Sequence, residues 1–427
     1  MKRLLLALAA LLSAPAAAQT VAIVNGRVAI GDGSPPIDHG TVLIHNGRIV
    51  AAGASVAIPP DAQRIDAGGK WVTPGIVAGQ STLGLMEVEA VDRSNDVAAG
   101  GSPFSAAIDI APAVNAASSA IAINRARGTT RAIVVPAAAH YIFGGQGALV
   151  DTGSDREAVF APRAFQFVEL GETGAAMAGG TRAASFLFFR NAMLEARDYA
   201  HNPATYGGRA TDDLLMRLDA AALVPVIEGK IPLLVHVERA SDILQVLDLR
   251  KEFPGLKLVL FGAQEGWLVA DRIAAAHVPV LVSGLADLPA QFEDLGATQS
   301  NLGRLQRAGV NVALAEGGYA SATRQAAGNL VALEKIPGAT GIDWDHALAA
   351  VTSGPAEAMG LGADFGSLRS GRRADVVIWD GDPLELESGP VLVLIDGVQQ
   401  TLETRQTKLR DRYRDLTKSD LPPAYRR

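Results

Sequence analysis

The chain of 427 residues has no cysteine, few aromatic residues (5%) and no run of basic residues. The absence of cysteine excludes a disulfide framework, a thiolate-bound zinc site and a cysteine nucleophile. Asp and Glu (45) outnumber Lys and Arg (38), which argues against nucleic acid as the main partner. Hydrophobic residues nevertheless make up 48% of the chain, which is typical of a folded protein with a large core.

The N-terminus has the pattern of an export signal. Met1-Lys2-Arg3 precede an apolar run over 4–12, and an Ala-x-Ala pattern follows at 16–18. We therefore predict a signal peptide over residues 1–18 and an exported protein, periplasmic in a Gram-negative bacterium. The apolar run is shorter than the roughly 20 residues of a bilayer-spanning helix, and no other stretch is long enough, so no membrane span is expected.

Both ends of the remaining chain are rich in short strands and turns. Asn25-Gly26 and Asn46-Gly47 each lie between β-prone runs, a pattern that predicts hairpins. Short β-prone runs separated by turns occur again after residue 366, so we predict one small β-sandwich built from 19–75 and 366–403. Residues 404–427 are charged and predict a surface helix and tail.

The middle of the chain, 76–365, alternates short apolar runs with helical patterns. Near-continuous Val, Leu and Ile runs are typical of parallel strands buried on both faces; they lie at 131–135, 231–236, 256–261, 278–282 and 310–314. Repeated strand–helix units predict an α/β fold, a (β/α)8 TIM-type barrel, with a doubly wound sheet as the alternative. No Gly-x-Gly-x-x-Gly opens a helix, so dinucleotide binding has no support.

Three motifs resemble those of one family. The segments 69–77 (GKWVTPGIV), 347–361 and 366–377 (GSLRSGRRADVV) resemble the start of the barrel, its last helix and the return to the small domain in the amidohydrolase superfamily, with imidazolonepropionase-like members most similar. The resemblance implies a barrel flanked by a composite β-sandwich. It also implies hydrolysis of carbon–nitrogen bonds, usually with one or two divalent metals such as zinc.

The metal ligands that the resemblance implies are largely replaced. Its His-x-His pair falls on Gln80 and Thr82, and the segment 165–171 has no lysine for a carboxylated bridging ligand. The resemblance matches His236 to the histidine after strand five and Glu316, approximately, to the aspartate after strand eight. A catalytic zinc normally needs about three protein ligands, so we assign no metal, although His236 could serve as a ligand.

The residues expected to work at the barrel mouth follow from these matches. We predict His236 and Glu316 as catalytic residues, since an imidazole and a carboxylate can act as acid and base. The predicted substrate-binding residues are Gln80, Thr82, Glu238, His140 and Gln146. His140 and Gln146 are included because they lie in a Gly-rich segment, expected to be a loop, after the strand at 131–135. Of the other histidines, His277 and His346 are expected on helices and His201 in a surface loop.

Three functions stay open at this point. The first is hydrolysis of an amide or peptide-like C–N bond. The second is a catalytically degenerate homologue that binds a small molecule or acts as a non-catalytic partner subunit. The third is a metal-free isomerase or lyase that uses His236 and Glu316. By analogy alone, we expect a homodimer or a heteromer with an intact homologue.

Overall fold

The computed structural model describes residues 20–88, 90–204, 206, 214–284, 286–316 and 320–414. The predicted signal peptide and the end of the tail, 415–427, lie outside the described residues. The described strands form two sheets of eight strands each. Within this part of the chain, no helix combines the length and the apolar character needed to cross a bilayer.

The smaller unit is a sheet built from both termini. Its strands are β1 (Thr20–Val28), β2 (Ile37–His45), β3 (Arg48–Gly53), β4 (Gln63–Asp66), β5 (Trp71–Pro74), β14 (Val376–Trp379), β15 (Pro390–Ile395) and β16 (Val398–Gln399). Their order is β16-β15-β14-β5-β1-β2-β3, with β4 paired to β1. The antiparallel pair of β5 and β14 joins the two ends of the chain. The expectation of a small β-domain made from both termini is confirmed.

The two Asn-Gly pairs behave differently. Asn46 (φ 51°) and Gly47 (φ 73°) form the tight turn between β2 and β3, as predicted. Asn25 (φ 56°) instead lies inside β1, where the register against β2 shifts between Ile23 and Gly26. The hairpin predicted at Asn25-Gly26 is therefore wrong, because the left-handed conformation that Asn allows produces a bulge there rather than a turn.

The larger sheet forms a nearly closed barrel, so the predicted fold is confirmed. Its strands are β6 (Ile76–Ser81), β7 (Thr129–Val134), β8 (Phe143–Asp151), β9 (Val159–Glu169), β10 (Leu233–Val237), β11 (Leu258–Gly262), β12 (Val280–Val282) and β13 (Val312–Leu314), adjacent in chain order. The first and last strands approach where a Cβ on Gly79 would lie 2.2 Å from the carbonyl oxygen of Leu314. Glycine therefore permits the backbone contact that brings the two ends of the sheet together.

One strand departs from an all-parallel barrel. β8 runs antiparallel to both β7 and β9, so a β-meander replaces one strand–helix unit. Gly147 of β8 lies against the ring of Phe165 of β9, at a distance where a Cβ would collide with the ring. Most of the Gly-rich segment expected to be a loop is thus a strand, and that local prediction is wrong at Gln146.

The helices cover the barrel and continue into the tail. They are α1 (Ser119–Ala126), α2 (Glu172–Met177), α3 (Arg182–His201), α4 (Arg217–Ile227), α5 (Ala240–Glu252), α6 (Ala270–Ala275), α7 (Asn301–Arg307), α8 (Ala320–Leu333), α9 (Trp344–Ala350), α10 (Ser353–Ala358) and α11 (Arg405–Arg414). His346 lies in α9 as predicted. His201 is the last residue of α3 rather than part of a loop, and His277 lies just beyond α6 with φ 51°. The predictions for His201 and His277 are therefore wrong, because each lies on the other side of a helix end from where it was expected.

The barrel interior is filled by side chains from successive strands. Val77, Ile133, Phe167, Leu234 and Val259 belong to one buried cluster. Such filling makes the barrel a packed core rather than a channel, so a site for a small molecule must lie at one of its ends.

Candidate functional site at the barrel mouth

Three side chains meet at the carboxyl ends of neighbouring barrel strands. Glu169 is the last residue of β9, and His236 lies opposite it in register on β10. His236 Nδ1 lies 2.5 Å from Glu169 Oε2, and Nε2 lies 3.1 Å from Glu238 Oε1. We call Glu169, His236 and Glu238 the His236 cluster.

The two carboxylates fix the charge of the imidazole. Burial alone would lower the pKa of His236, but the hydrogen bonds and negative charges of Glu169 and Glu238 raise that pKa to about 10. His236 is therefore an imidazolium at neutral pH, with an N–H donated to a carboxylate on each side. Its side chain is 21% exposed and lies beside the ring of Phe261, with a centroid distance of 5.2 Å.

The end of β11 holds Glu238 in place. Glu238 Oε2 accepts a hydrogen bond of 2.8 Å from the backbone N–H of Gln264. Gly262 has φ 87°, and a Cβ there would lie 2.3 Å from Glu238 Oε1. A glycine at this position thus provides both the left-handed backbone and the space for the carboxylate.

A buried carboxylate lies behind the His236 cluster. The Glu293 side chain is only 1% exposed; it accepts hydrogen bonds from the Glu172 backbone N–H (2.5 Å) and from Arg182 Nη2 (3.1 Å). Arg182 also donates to Asp242 at 2.6 Å. Burial raises the pKa of Glu293, while the positive charges of His236 and Arg182 oppose that rise.

Glu316 lies after the last barrel strand and binds to the neighbouring one. Its carboxylate accepts hydrogen bonds from the Gly284 backbone N–H (2.6 Å) and from Ser283 Oγ (3.0 Å). These contacts attach Glu316 to the end of β12 rather than to His236. The two residues predicted as catalytic therefore share the mouth, but their side chains have different hydrogen-bond partners.

The other predicted residues are spread around the barrel. Gln80, in β6, and Thr82, just after it, are half-buried at the mouth end. His140 is exposed between β7 and β8 and lines a small cleft with Ser102. Gln146 is buried in β8, where its Nε2 donates to the Ala106 carbonyl at 3.3 Å. The proposed contacts of these four residues with a substrate stay predictions.

Sequence reasoning missed Glu169, Glu293 and Arg182. Glu169 could have been found, because it ends an apolar strand run just as His236 does. Glu293 lies in the irregular segment after β12, where no periodicity indicates which side chains turn inward. Its partner Arg182 begins a helix far away in the sequence, so only the fold brings the two together.

The residues at the mouth do not fit the divalent metal that the fold implies. Both ring nitrogens of His236 carry protons that are donated to carboxylates, whereas a metal ligand needs a nitrogen lone pair. Gln80 and Thr82 offer only neutral oxygens, which are weak ligands for zinc. Across the described ranges, no group of three or more His, Cys, Asp or Glu side chains has a metal-holding arrangement.

Comparisons with known proteins agree with the fold. Residues 235–410 match the sequence profile of the Amidohydrolase family. The protein "Amidohydrolase tasK" of Hapsidospora irregularis is 25% identical over 398 residues, covering 84% of this chain but only 40% of that protein. This chain thus spans less than half the length of that relative. An imidazolonepropionase of Bradyrhizobium diazoefficiens is 48% identical over 44 residues, which cover 10% of this chain and 11% of the relative.

Solved structures extend the likeness over most of the chain. An amidohydrolase from Thermotoga maritima superimposes with a TM-score of 0.77 and 25% identity, covering 89% of this chain and 99% of that one. A molinate hydrolase superimposes with a TM-score of 0.53 and 18% identity, covering 90% of this chain and 95% of that one, and shows the fold alone. Together, these matches extend the likeness to amidohydrolases over most of the chain.

Proposed function

Because this chain belongs to the amidohydrolase superfamily, we propose that its barrel mouth binds a small amide-type molecule and that the protein is a catalytically degenerate homologue. The hydrogen bonding of His236 carries the proposal. An imidazolium that donates from both nitrogens cannot ligate a metal, and the His-x-His positions hold Gln80 and Thr82. The protein therefore lacks the ligands that would hold a metal and its activated water.

A buried amide at the mouth supports a binding role. Gln264 is 7% exposed, and its Oε1 has no hydrogen-bond partner among the described residues. A buried acceptor without a partner is costly, so a ligand N–H bound there would remove that cost. An amide compound presents such an N–H.

Metal analysis tests the degenerate role directly. The full chain would be purified with added zinc and assayed on N-acetyl amino acids and dipeptides. We expect zinc well below one equivalent, no turnover, and saturable binding of some of these amides by ligand-observed NMR. A stoichiometric metal together with ordinary turnover would refute the proposal.

A double variant supplies the matched comparison. Gln80→His combined with Thr82→His returns two imidazoles to the strand end that the superfamily uses. If the site has lost its metal by substitution, the double variant should retain more zinc than the wild-type chain. Equal zinc content in both proteins would show that these positions do not limit metal binding.

Hydrolysis of a C–N bond is the second candidate, and the amidohydrolase matches favour it. In that reaction, Glu316 would take a proton from water as the water oxygen adds to the carbonyl carbon. The C–N bond then breaks, and the amine leaves with that proton. Loss of turnover in Glu316→Gln, with substrate binding retained, would support this candidate; full activity in that variant would exclude it.

We further propose export and assembly with other subunits. The basic start and the Ala-x-Ala pattern support cleavage after Ala18. N-terminal sequencing of protein from the periplasmic fraction should then begin at Gln19; a start at Met1 would refute cleavage.

Light scattering of the purified chain, alone and mixed with an intact homologue, tests the expected homodimer or heteromer. A monomer in both samples would refute this expectation.

A further inference from the structure

A cavity opens at the end of the barrel opposite the mouth. It has a volume of about 480 Å³ and lies where β10, β11 and β12 begin, beside Pro232, Lys257 and Pro279. This volume falls within the range of roughly 300–1,000 Å³ typical of small-molecule pockets. We call this cavity the basal cleft.

The floor of the basal cleft is apolar. Leu256, Val259, Val278 and Met359 line it, and their exposed fractions are only 2–6%. Together they provide a surface on which a hydrocarbon segment of a ligand can be removed from water. The residues come from the starts of two strands, β11 and β12, and from the end of α10, so packing of the barrel holds the floor in place.

The rim of the basal cleft is mainly cationic. Lys230, Arg250 and Lys257 line it, against a single carboxylate, that of Glu357. Lys230 pairs with Glu228 at 2.7 Å. Lys257, in contrast, has no ion-pair partner in the described part of the chain. An anion bound at the rim would supply that partner.

Arg250 is oriented toward the same rim. Its Nη1 donates to the Ala276 carbonyl at 2.7 Å, which fixes the guanidinium beside His277. His277 also lines the cleft and has φ 51°, a backbone conformation in which most residues are strained. Since a guanidinium has five N–H donors, the bond to Ala276 leaves others that can bind a carboxylate.

We propose that the basal cleft binds a carboxylate joined to a short hydrocarbon segment. The carboxylate lies between Lys257 and Arg250, and the hydrocarbon lies on the floor formed by Leu256, Val259 and Met359. This site is at the opposite end of the barrel from the His236 cluster. It therefore does not depend on the function proposed for the mouth.

Octanoate is a suitable probe, and octanamide is its uncharged counterpart of nearly the same shape. The full chain would be labelled with ¹³C-methyl methionine, and the Met359 signal would be assigned from a Met359→Leu variant. We expect octanoate to shift the Met359 signal saturably, with an affinity at least tenfold higher than that of octanamide. Equal affinities, or no saturable shift of this signal, would overturn the proposal.

Two substitutions test whether octanoate binding depends on the charge at the rim or only on the overall charge of the protein. Lys257→Gln should weaken octanoate binding about tenfold, because it removes a charge at the rim and no hydrogen bond within the protein. Lys251→Gln is the control, since Lys251 is 74% exposed on α5, pairs with Asp248 and does not line the cleft. An unchanged affinity in Lys257→Gln, or an equal loss in both variants, would also overturn the proposal.

Discussion

Arg131 of β7 and Asp375, just before β14, form a two-pronged ion pair that joins the barrel to the small sheet. Arg131 Nε donates to Asp375 Oδ2 at 2.8 Å, and Nη2 donates to Oδ1 at 3.0 Å. The two side chains are only 1% and 4% exposed. Asp375 Oδ1 also accepts from the Asp396 backbone N–H at 3.0 Å, so one carboxylate connects three parts of the chain.

Removing this carboxylate should destabilise the fold strongly. Asp375→Asn removes the two-pronged charged partner of the buried Arg131, which keeps Asp396 at 2.9 Å and Asp151 at 3.5 Å. We expect the free energy of unfolding to fall by about 2–4 kcal/mol. Urea denaturation followed by circular dichroism measures the change. Asp248→Asn removes the partner of the exposed Lys251 and should cost about 1 kcal/mol or less. Similar losses in the two variants would contradict the role assigned to Asp375.

The protonation of His236 can be measured directly. We expect the His236 imidazole to titrate with a pKa of about 10 and to keep both N–H protons at pH 8, visible by ¹⁵N NMR. Glu238→Gln should lower that pKa, because it removes one of the two negative charges that raise it. Titration of wild-type His236 near 6.5 would contradict the cluster described here.

The same pKa predicts how stability depends on pH. The pKa of His236 is higher in the folded chain than the ordinary value of about 6.5. Its contribution to stability is therefore complete below pH 6.5 and is lost as the pH rises toward 10. His236→Gln should reduce the decline in stability between these pH values. If the variant and the wild-type chain declined in parallel, another group would be responsible.

Gly262 offers a test of the space beside Glu238. Gly262→Ala places a methyl group against the Glu238 carboxylate at a residue with φ 87°, so it should both destabilise the chain and lower the pKa of His236. Gly338→Ala is the control, because Gly338 has φ 84° and no atom within 4 Å of the added Cβ. The control should cost only the backbone strain, about 1 kcal/mol. If His236 kept its wild-type pKa in Gly262→Ala, the position of Glu238 would not depend on the space at Gly262.

Glu293 should matter more than its exposed neighbour Glu172. Glu293→Gln removes the charge that pairs with Arg182, and we expect unfolding free energy to fall by about 2–4 kcal/mol. The Glu172 side chain is 41% exposed and 3.9 Å from Arg182, so Glu172→Gln should cost about 1 kcal/mol or less. Thermal unfolding of both variants gives the comparison, and a larger effect at Glu172 would contradict it.

The overall architecture was predictable because three motifs bracket the chain in a fixed order. Apolar runs such as 231–236 also show where buried strands lie. They do not show direction, however, so nothing in the run that became β8 indicated an antiparallel strand. Asn25-Gly26 and Asn46-Gly47 are identical dipeptides, yet only the second forms a turn, because the strands that pair around each one decide the result.

The site was less predictable than the fold. His236 was found because the family resemblance matches it to the histidine after the fifth barrel strand. Its charge state could not be found, since it depends on Glu169, which lies on another strand, and on Glu238, whose position depends on the space at Gly262. Hydrogen-bond partners that are distant in sequence become visible only once the strands are in register.

The β7–β8–β9 meander also bears on how the barrel assembles. Its strands pair with near neighbours in the sequence, whereas β6 and β13 must meet from almost opposite ends of the barrel segment. Closing a short loop costs less chain entropy than closing a long one, so local pairings can form early during folding. The meander is thus the part of the barrel wall best suited to nucleate folding, before the parallel strands pair with one another.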